Sequence, residues 1–276
     1  LFRSYLGGRR PTPASQPPMS LTDEYPAEGS VESAVAGGVA RLEFAHPKGN
    51  SLPGAVLRRL AQQVEAAGQR DDVKVIALRS ARNGPFCAGA SFDELAAIRD
   101  ETAGKEFFLG FARVILAMIR CPKPIVTRVQ GKVVGGGVGV VAASDYVIAT
   151  DTAQLRLSEL AVGIGPFVVG PAIERKIGPG AFSAMALDAD WRSARWALDT
   201  GLYAQVHDSL AGVDSAFDGF VQTLAKSNPE ATSRIKATLW EGTSHWDQLL
   251  DDRAAMSGRL VLSDYTRRAI EGFKAR

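Results

Sequence analysis

The segment GKVVGGGVGVVAASDYVIAT, residues 131–150, constrains this chain more than any other. It reads as a strand, a glycine cluster, a helix of small residues and then a strand, Tyr146 to Ala149. Glycines between Val133 and Gly139 let a backbone pass close to a neighbour and aim its N–H groups outward. The strand–helix–strand alternation recurs along the chain and predicts a layered α/β core. The apolar run from Val133 to Ala143 is too short to cross a bilayer, so no membrane partner is expected.

Around this segment the order of elements is legible. VESAV and VARLEFA flank Gly37-Gly38 and predict a hairpin. Val56, Leu57, Leu60 and Val64 fall at helical spacing. Val73–Leu78 and Ile125–Val129 are β-branched runs, and Glu106–Ile119 is helical. After Gly165 the reading is almost wholly helical: 168–177, 181–187, 192–198, 210–225, 230–240 and 246–260, with only 203–206 extended. Three regions are therefore expected. Residues 1–25, whose first 18 carry Arg3, Arg9 and Arg10, no acid and four prolines, are expected to be a disordered tail or upstream segment. Residues 26–200 are an α/β core, and residues 201–276 a helical region.

Composition narrows the function. Of 276 residues, 32 are Lys or Arg and 30 are Asp or Glu, a net charge of +2, so no nucleic-acid partner is expected. Cys87 and Cys121 cannot build a disulfide framework, and no C-x-x-C or H-E-x-x-H occurs. No metal site is expected, and the compartment is reducing and cytoplasmic.

Two glycine-rich loops can carry chemistry, PFCAGAS at 85–91 and VVGGGVG at 133–139. A helix starting after each would add its free N–H groups and dipole to an anion-stabilising field. Facing each other, the loops would make an oxyanion hole from backbone alone. The competing reading is that the glycines serve only tight strand–helix packing. Neither loop matches a dinucleotide fingerprint or a P-loop. Glu159, flanked by Leu157 and Leu160, is a carboxylate that desolvation would suit to proton transfer, or else a surface or capping glutamate. Asp145 reads as structural, Cys87 as a weak thiolate candidate, and His46, His207 and His245 are scattered. Phe167, Trp240 and Trp246 are candidates to line an acyl pocket, or plain core.

Four stretches taken together resemble the crotonase superfamily, the enoyl-CoA hydratase/isomerase family. They are HPKGNSL (46–52), FCAGASFDEL (86–95), GKVVGGGVGVVAASDYVIA (131–149) and LRLSELAVGIGP (155–166). The resemblance covers about residues 31 to 276. It implies an α/β, crotonase-like fold of repeated ββα units with a C-terminal helical region that builds a homo-trimer or hexamer. It implies an acyl-CoA thioester substrate, with CoA arriving as part of the substrate and no separate cofactor. Carried onto this chain, the oxyanion donors are the N–H groups of Ala90 and Gly136, the acid/base is Glu159, and backbone at Ala88 and Gly89 contacts CoA.

Three departures bear on the reaction. The position of the family's second water-holding glutamate is Gly139, the residue before Glu159 is Ser158 rather than proline, and Ser91 replaces an aspartate. One carboxylate suffices to move a proton between two carbons, whereas water addition ordinarily needs a second group. The expectation is enoyl-CoA isomerisation. The alternatives are hydration or another lyase or hydrolase reaction with a substitute for the lost acid, and a non-catalytic acyl-CoA binder.

Overall fold

The computed structural model describes residues 26–274. The tail expected at residues 1–25 lies outside them. β1 (Ser30–Ala36) and β2 (Val39–Ala45) form the expected hairpin, and Gly37 and Gly38 supply its positive φ angles of 58° and 82°. α1 (Gly54–Gln69) buries Val56, Leu57, Leu60 and Val64 at helical spacing. Each such side chain contributes about 1.5–3 kcal/mol of transfer free energy. β3 (Val75–Ser80) leads through the first glycine-rich loop into α2 (Phe92–Ala97) and α3 (Glu101–Arg120). β4 (Ile125–Val129), β5 (Val133–Val134) and α4 (Gly136–Ala143) follow, then β6 (Tyr146–Thr150) and β7 (Leu155–Arg156).

The remainder is helical: α5 (Gly170–Asp188), α6 (Ala194–Asp199), α7 (Leu210–Lys226), α8 (Pro229–Leu239), α9 (Trp246–Leu260) and α10 (Asp264–Lys274). A short strand, β8 (Gln205–His207), falls between α6 and α7. The two helices expected at 168–177 and 181–187 join as α5, kinked where Gly178 takes a φ of 77° ahead of Pro179. α2 and α10 were not expected.

Six strands form one sheet in the order β1-β2-β3-β4-β6-β8. Only the β1–β2 pair is antiparallel. β5 and β7 pair in parallel as a separate small sheet. The succession β4-β5-α4 and β6-β7-α5 is the repeated ββα pattern, with the second strand of each unit diverted to the small sheet. β8 lies beyond residue 200 yet adds the sixth strand to the core sheet.

The sheet is buried on both faces, as a mostly parallel sheet requires. On one face Leu42, Phe44, Ile76 and Leu78 meet α1, α3 and α4. On the other, Val75, Ala77, Val126 and Ile148 meet Val213, Phe217 and Val221 of α7. α9 crosses α3 so closely that a Cβ on Gly104 would stand 2.7 Å from the Gly258 carbonyl oxygen. That crossing brings the C-terminal helices over the edge of the core. Among the described residues no helix is long and apolar enough to cross a membrane.

Candidate active site

A cavity of about 380 Å³ opens between the first glycine-rich loop, the start of α4 and the segment after β7. It brings together Ala88, Gly89, Ala90, Gly136 and Glu159, the residues expected to hold the thioester, move the proton and contact CoA.

The first loop is positioned by Asn50. Its side chain donates to the Pro85 carbonyl (2.9 Å) and accepts from the His46 N–H (2.8 Å), while its own carbonyl accepts from the Ala88 N–H at 3.2 Å. Leu52 pairs with Ala90 as an isolated parallel bridge, through the Leu52 N–H to Gly89 O (2.8 Å) and the Ser91 N–H to Leu52 O (2.9 Å). A parallel bridge uses the groups of the flanking residues, so the N–H of Ala90 points to the other side. Ser91 then caps α2, its side chain accepting from the Glu94 N–H. Serine and aspartate both serve as N-caps, so the Ser91 departure is structurally mild.

The second loop differs from expectation. Its glycines lie mostly inside a helix: β5 ends at Val134, Gly135 is the N-cap with φ 54° and ψ −120°, and α4 begins at Gly136. Helical glycine normally destabilises, but here packing requires it. A Cβ would stand 2.4 Å from the Phe111 ring at Gly136, 2.7 Å from the Cys87 Cβ at Gly137 and 2.6 Å from a Val169 methyl at Gly139. The Gly136 N–H is the first of α4 and has no acceptor within the helix. The two loops are held side by side, the Val134 N–H donating to Cys87 O at 2.9 Å.

Glu159 follows β7 at the head of a 3-10 turn, Leu160–Val162. Its carbonyl accepts from the Ile164 N–H at 2.9 Å and the Val162 N–H at 3.2 Å, which fixes its backbone. The small sheet ties it to α4, with the Gly135 N–H donating to Arg156 O at 3.0 Å. The side chain lies over Gly135, and its Oε2 is buried without a hydrogen-bond partner. Burial pushes this carboxyl up to about 7, outweighing nearby backbone N–H groups and the Arg156 charge, which pull it down.

The rest of the wall is apolar, with Phe92, Phe107, Phe108, Phe111 and Phe167 among its residues. Phe167 is where the sequence suggested. Trp240 and Trp246 are not: their rings pack on each other at 6.0 Å, both nearly buried and away from the cavity. Cys87 is no nucleophile, since full burial pushes its thiol up to about 12. Asp145 is structural, accepting from the Ile125 N–H, the Trp240 indole and Lys236. Sequence reasoning missed Phe111, Val169 and Arg156. A lone charge between Leu155 and Leu157 was the available signal for Arg156. The phenylalanines of α3 had none that set them apart from core.

A family model described as enoyl-CoA hydratase/isomerase matches residues 34–274. Among curated proteins, the chain is 31% identical over 126 residues to a (7aS)-7a-methyl-1,5-dioxo-2,3,5,6,7,7a-hexahydro-1H-indene-carboxyl-CoA hydrolase of Mycobacterium tuberculosis, covering 46% of this chain and 51% of that one. The match thus spans about half the length of that relative. It is 24% identical over 208 residues to a carnitinyl-CoA dehydratase of Proteus mirabilis, covering 75% of this chain and 78% of the relative. A solved enoyl-CoA hydratase from Mycobacterium avium superposes with a TM-score of 0.78 at 25% identity, over 89% of this chain and 96% of that structure.

Proposed function

Since this chain belongs to the enoyl-CoA hydratase/isomerase family, we propose that it acts on acyl-CoA thioesters as an enoyl-CoA isomerase with Glu159 as its single acid/base. Ala90 and Gly136 hold the thioester carbonyl, and backbone at Ala88 and Gly89 contacts the CoA portion. The reaction starts when the ionised Glu159 removes a proton from C2 of a 3-enoyl thioester. The electron pair moves into the carbonyl and leaves a dienolate. Two fixed N–H donors stabilise that oxygen without reorganising, and losing one such donor typically costs about 100- to 1000-fold in rate. The same carboxylic acid then returns the proton to C4, and the double bond comes to rest between C2 and C3. A carboxyl near pH 7 in its proton affinity suits both halves of the cycle.

The observation that carries the choice of isomerisation is the packing at Gly139. Val169 and Ile115 occupy the space where a side chain would begin, at 2.6 Å and 3.1 Å from a Cβ. Among the described residues the cavity wall holds no second carboxylate, and the space beside Gly139 is filled with methyl groups. Relatives named hydrolase and dehydratase favour a second reading, in which water adds to the substrate and the cavity serines Ser51 or Ser158 help to orient it.

Turnover of trans-3-enoyl-CoA and trans-2-enoyl-CoA by the purified chain, with Glu159→Gln beside it, tests the proposal. Conversion of the 3-enoyl substrate alone, lost in the variant, is the expected result. Water addition to the 2-enoyl substrate at a comparable rate would replace isomerisation with the second reading. Full activity in Glu159→Gln would remove Glu159 from the mechanism. Light scattering checks the expected homo-trimer or hexamer.

A further inference from the structure

The cavity wall holds two charged side chains, Glu159 and Arg156. The mechanism uses the first and leaves the second without a task. Leu155 and Leu157 are each 1% exposed and turn into the core, so Arg156 between them projects to the opposite side. Its guanidinium lies over the Trp191 ring, 4.8 Å from the centroid, and Lys132 Nζ lies 5.1 Å from the same centroid. Among the described residues neither cation has a salt-bridge partner, and Arg156 Nε is buried without an acceptor.

A buried donor left unpaired is costly unless something that binds there satisfies it. Stacking on an indole orients the planar guanidinium, whose fork matches a carboxylate with two parallel hydrogen bonds. The phenylalanines of the wall lower the local dielectric, which strengthens such a pair. Arg156 precedes Glu159 by three residues, so their Cα atoms stand no more than about 11 Å apart. A four- or five-carbon acyl chain and the two side chains bridge that distance.

We propose that Arg156 is a specificity residue that receives a second carboxylate at the far end of the acyl group, so that the preferred substrates are CoA thioesters of short dicarboxylic acids. This rests on the acyl-CoA reading above. The acyl carboxylate takes the place of the acceptor that Arg156 lacks, and Lys132, over the same Trp191 ring, adds long-range attraction.

Calorimetric binding of three saturated thioesters to the full chain tests this without turnover: butyryl-CoA, glutaryl-CoA and the monomethyl ester of glutaryl-CoA. The ester keeps the shape of the glutaryl group and removes its charge. Glutaryl-CoA is expected to bind about 10- to 100-fold tighter than its ester, the range for a hydrogen bond to a charged group. Arg156→Met is expected to bring that ratio to within about threefold, and Arg156→Lys to give an intermediate value. Equal affinities of acid and ester in the unaltered chain overturn the proposal, and so does an Arg156→Met variant that weakens both alike. If all three thioesters bind equally, only this inference falls. If none binds, the acyl-CoA reading falls first.

Discussion

The carboxylate of Glu159 rests on the bare Cα of Gly135, where an added Cβ would stand 3.1 Å from Oε1. Gly135 is thus required twice, by its φ of 54° and by the side chain above it. Gly135→Ala would strain the backbone by about 1–3 kcal/mol and push the acid out of line. Misplacement of a reacting group by an ångström costs about 100-fold in rate. A comparable fall in kcat on trans-3-enoyl-CoA is expected, and an unimpaired kcat would show that the contact does not position the acid.

With Glu159 as the proposed base, a pH profile follows. A base must be ionised, and burial pushes this carboxyl from 4.5 up to about 7. The rate of proton abstraction, read as kcat/KM, is expected to rise with pH through about 7 and then level off. A profile flat from pH 5 to 9 is incompatible with this assignment.

Stability runs the opposite way. The folded state binds this proton more tightly than the unfolded chain, so the contribution is complete below about 4.5 and lost as pH rises through about 7. Glu159→Gln removes the ionisation. The variant is expected to match the unaltered protein in acid and to melt a few degrees higher at pH 8.5, which scanning calorimetry at both pH values measures.

Placing an acid at position 139 needs more than one substitution. Gly139→Glu alone drives a Cβ to 2.6 Å from Val169 Cγ1 and is expected to cost about 1–3 kcal/mol through overpacking. Gly139→Glu with Val169→Gly removes both the Cγ1 contact at 2.6 Å and the Cβ contact at 2.9 Å, and is expected to recover part of the thermal midpoint and to gain water addition to trans-2-enoyl-CoA. No gain in hydration by a folded double variant would separate the missing glutamate from the choice of reaction.

Cys87 and Cys121 are both buried, and burial raises both thiols. A thiol-specific chromogenic reagent at pH 8 is expected to titrate neither in the native protein and both after unfolding. Rapid native labelling of Cys87 would return it to the list of nucleophiles.

Far from the cavity, Asp145 and Lys236 form a pair at 2.8 Å with side chains 10% and 3% exposed. Trp240 donates to the same carboxylate at 3.2 Å, so one group fastens the helix α8 to the core sheet. Asp145→Ala leaves the ammonium buried without its counter-ion and is expected to cost about 3–5 kcal/mol, measured by denaturant unfolding.

Local pattern was a good guide wherever a residue's neighbours in sequence are its neighbours in space. The hairpin at Gly37-Gly38, the strand Ile125–Val129 and the helix Trp246–Leu260 stand where their periodicity put them. The glycine cluster was misread in part, because whether glycines form a loop or a helix depends on what presses against them. Phe111, Cys87 and Val169 press against these, and all three come from other elements. Ser91 and Asn50 had motif positions in the sequence, but their roles as cap and clamp needed the loop in three dimensions.

The chain by itself determined the layered α/β class and the family resemblance, and it pointed to Ala88, Gly89, Ala90, Gly136 and Glu159, which line one cavity. These are properties of short-range spacing, turn chemistry and residue type, which a linear pattern carries. The tertiary structure decided what those residues experience. It seated Glu159 on Gly135 with its Oε2 buried. It filled the space beside Gly139 with Val169 and Ile115, and it put Arg156 into the cavity wall with no counter-ion among the described residues. Burial, close contact and unmet hydrogen bonds arise between segments distant in sequence, so only the folded chain holds them.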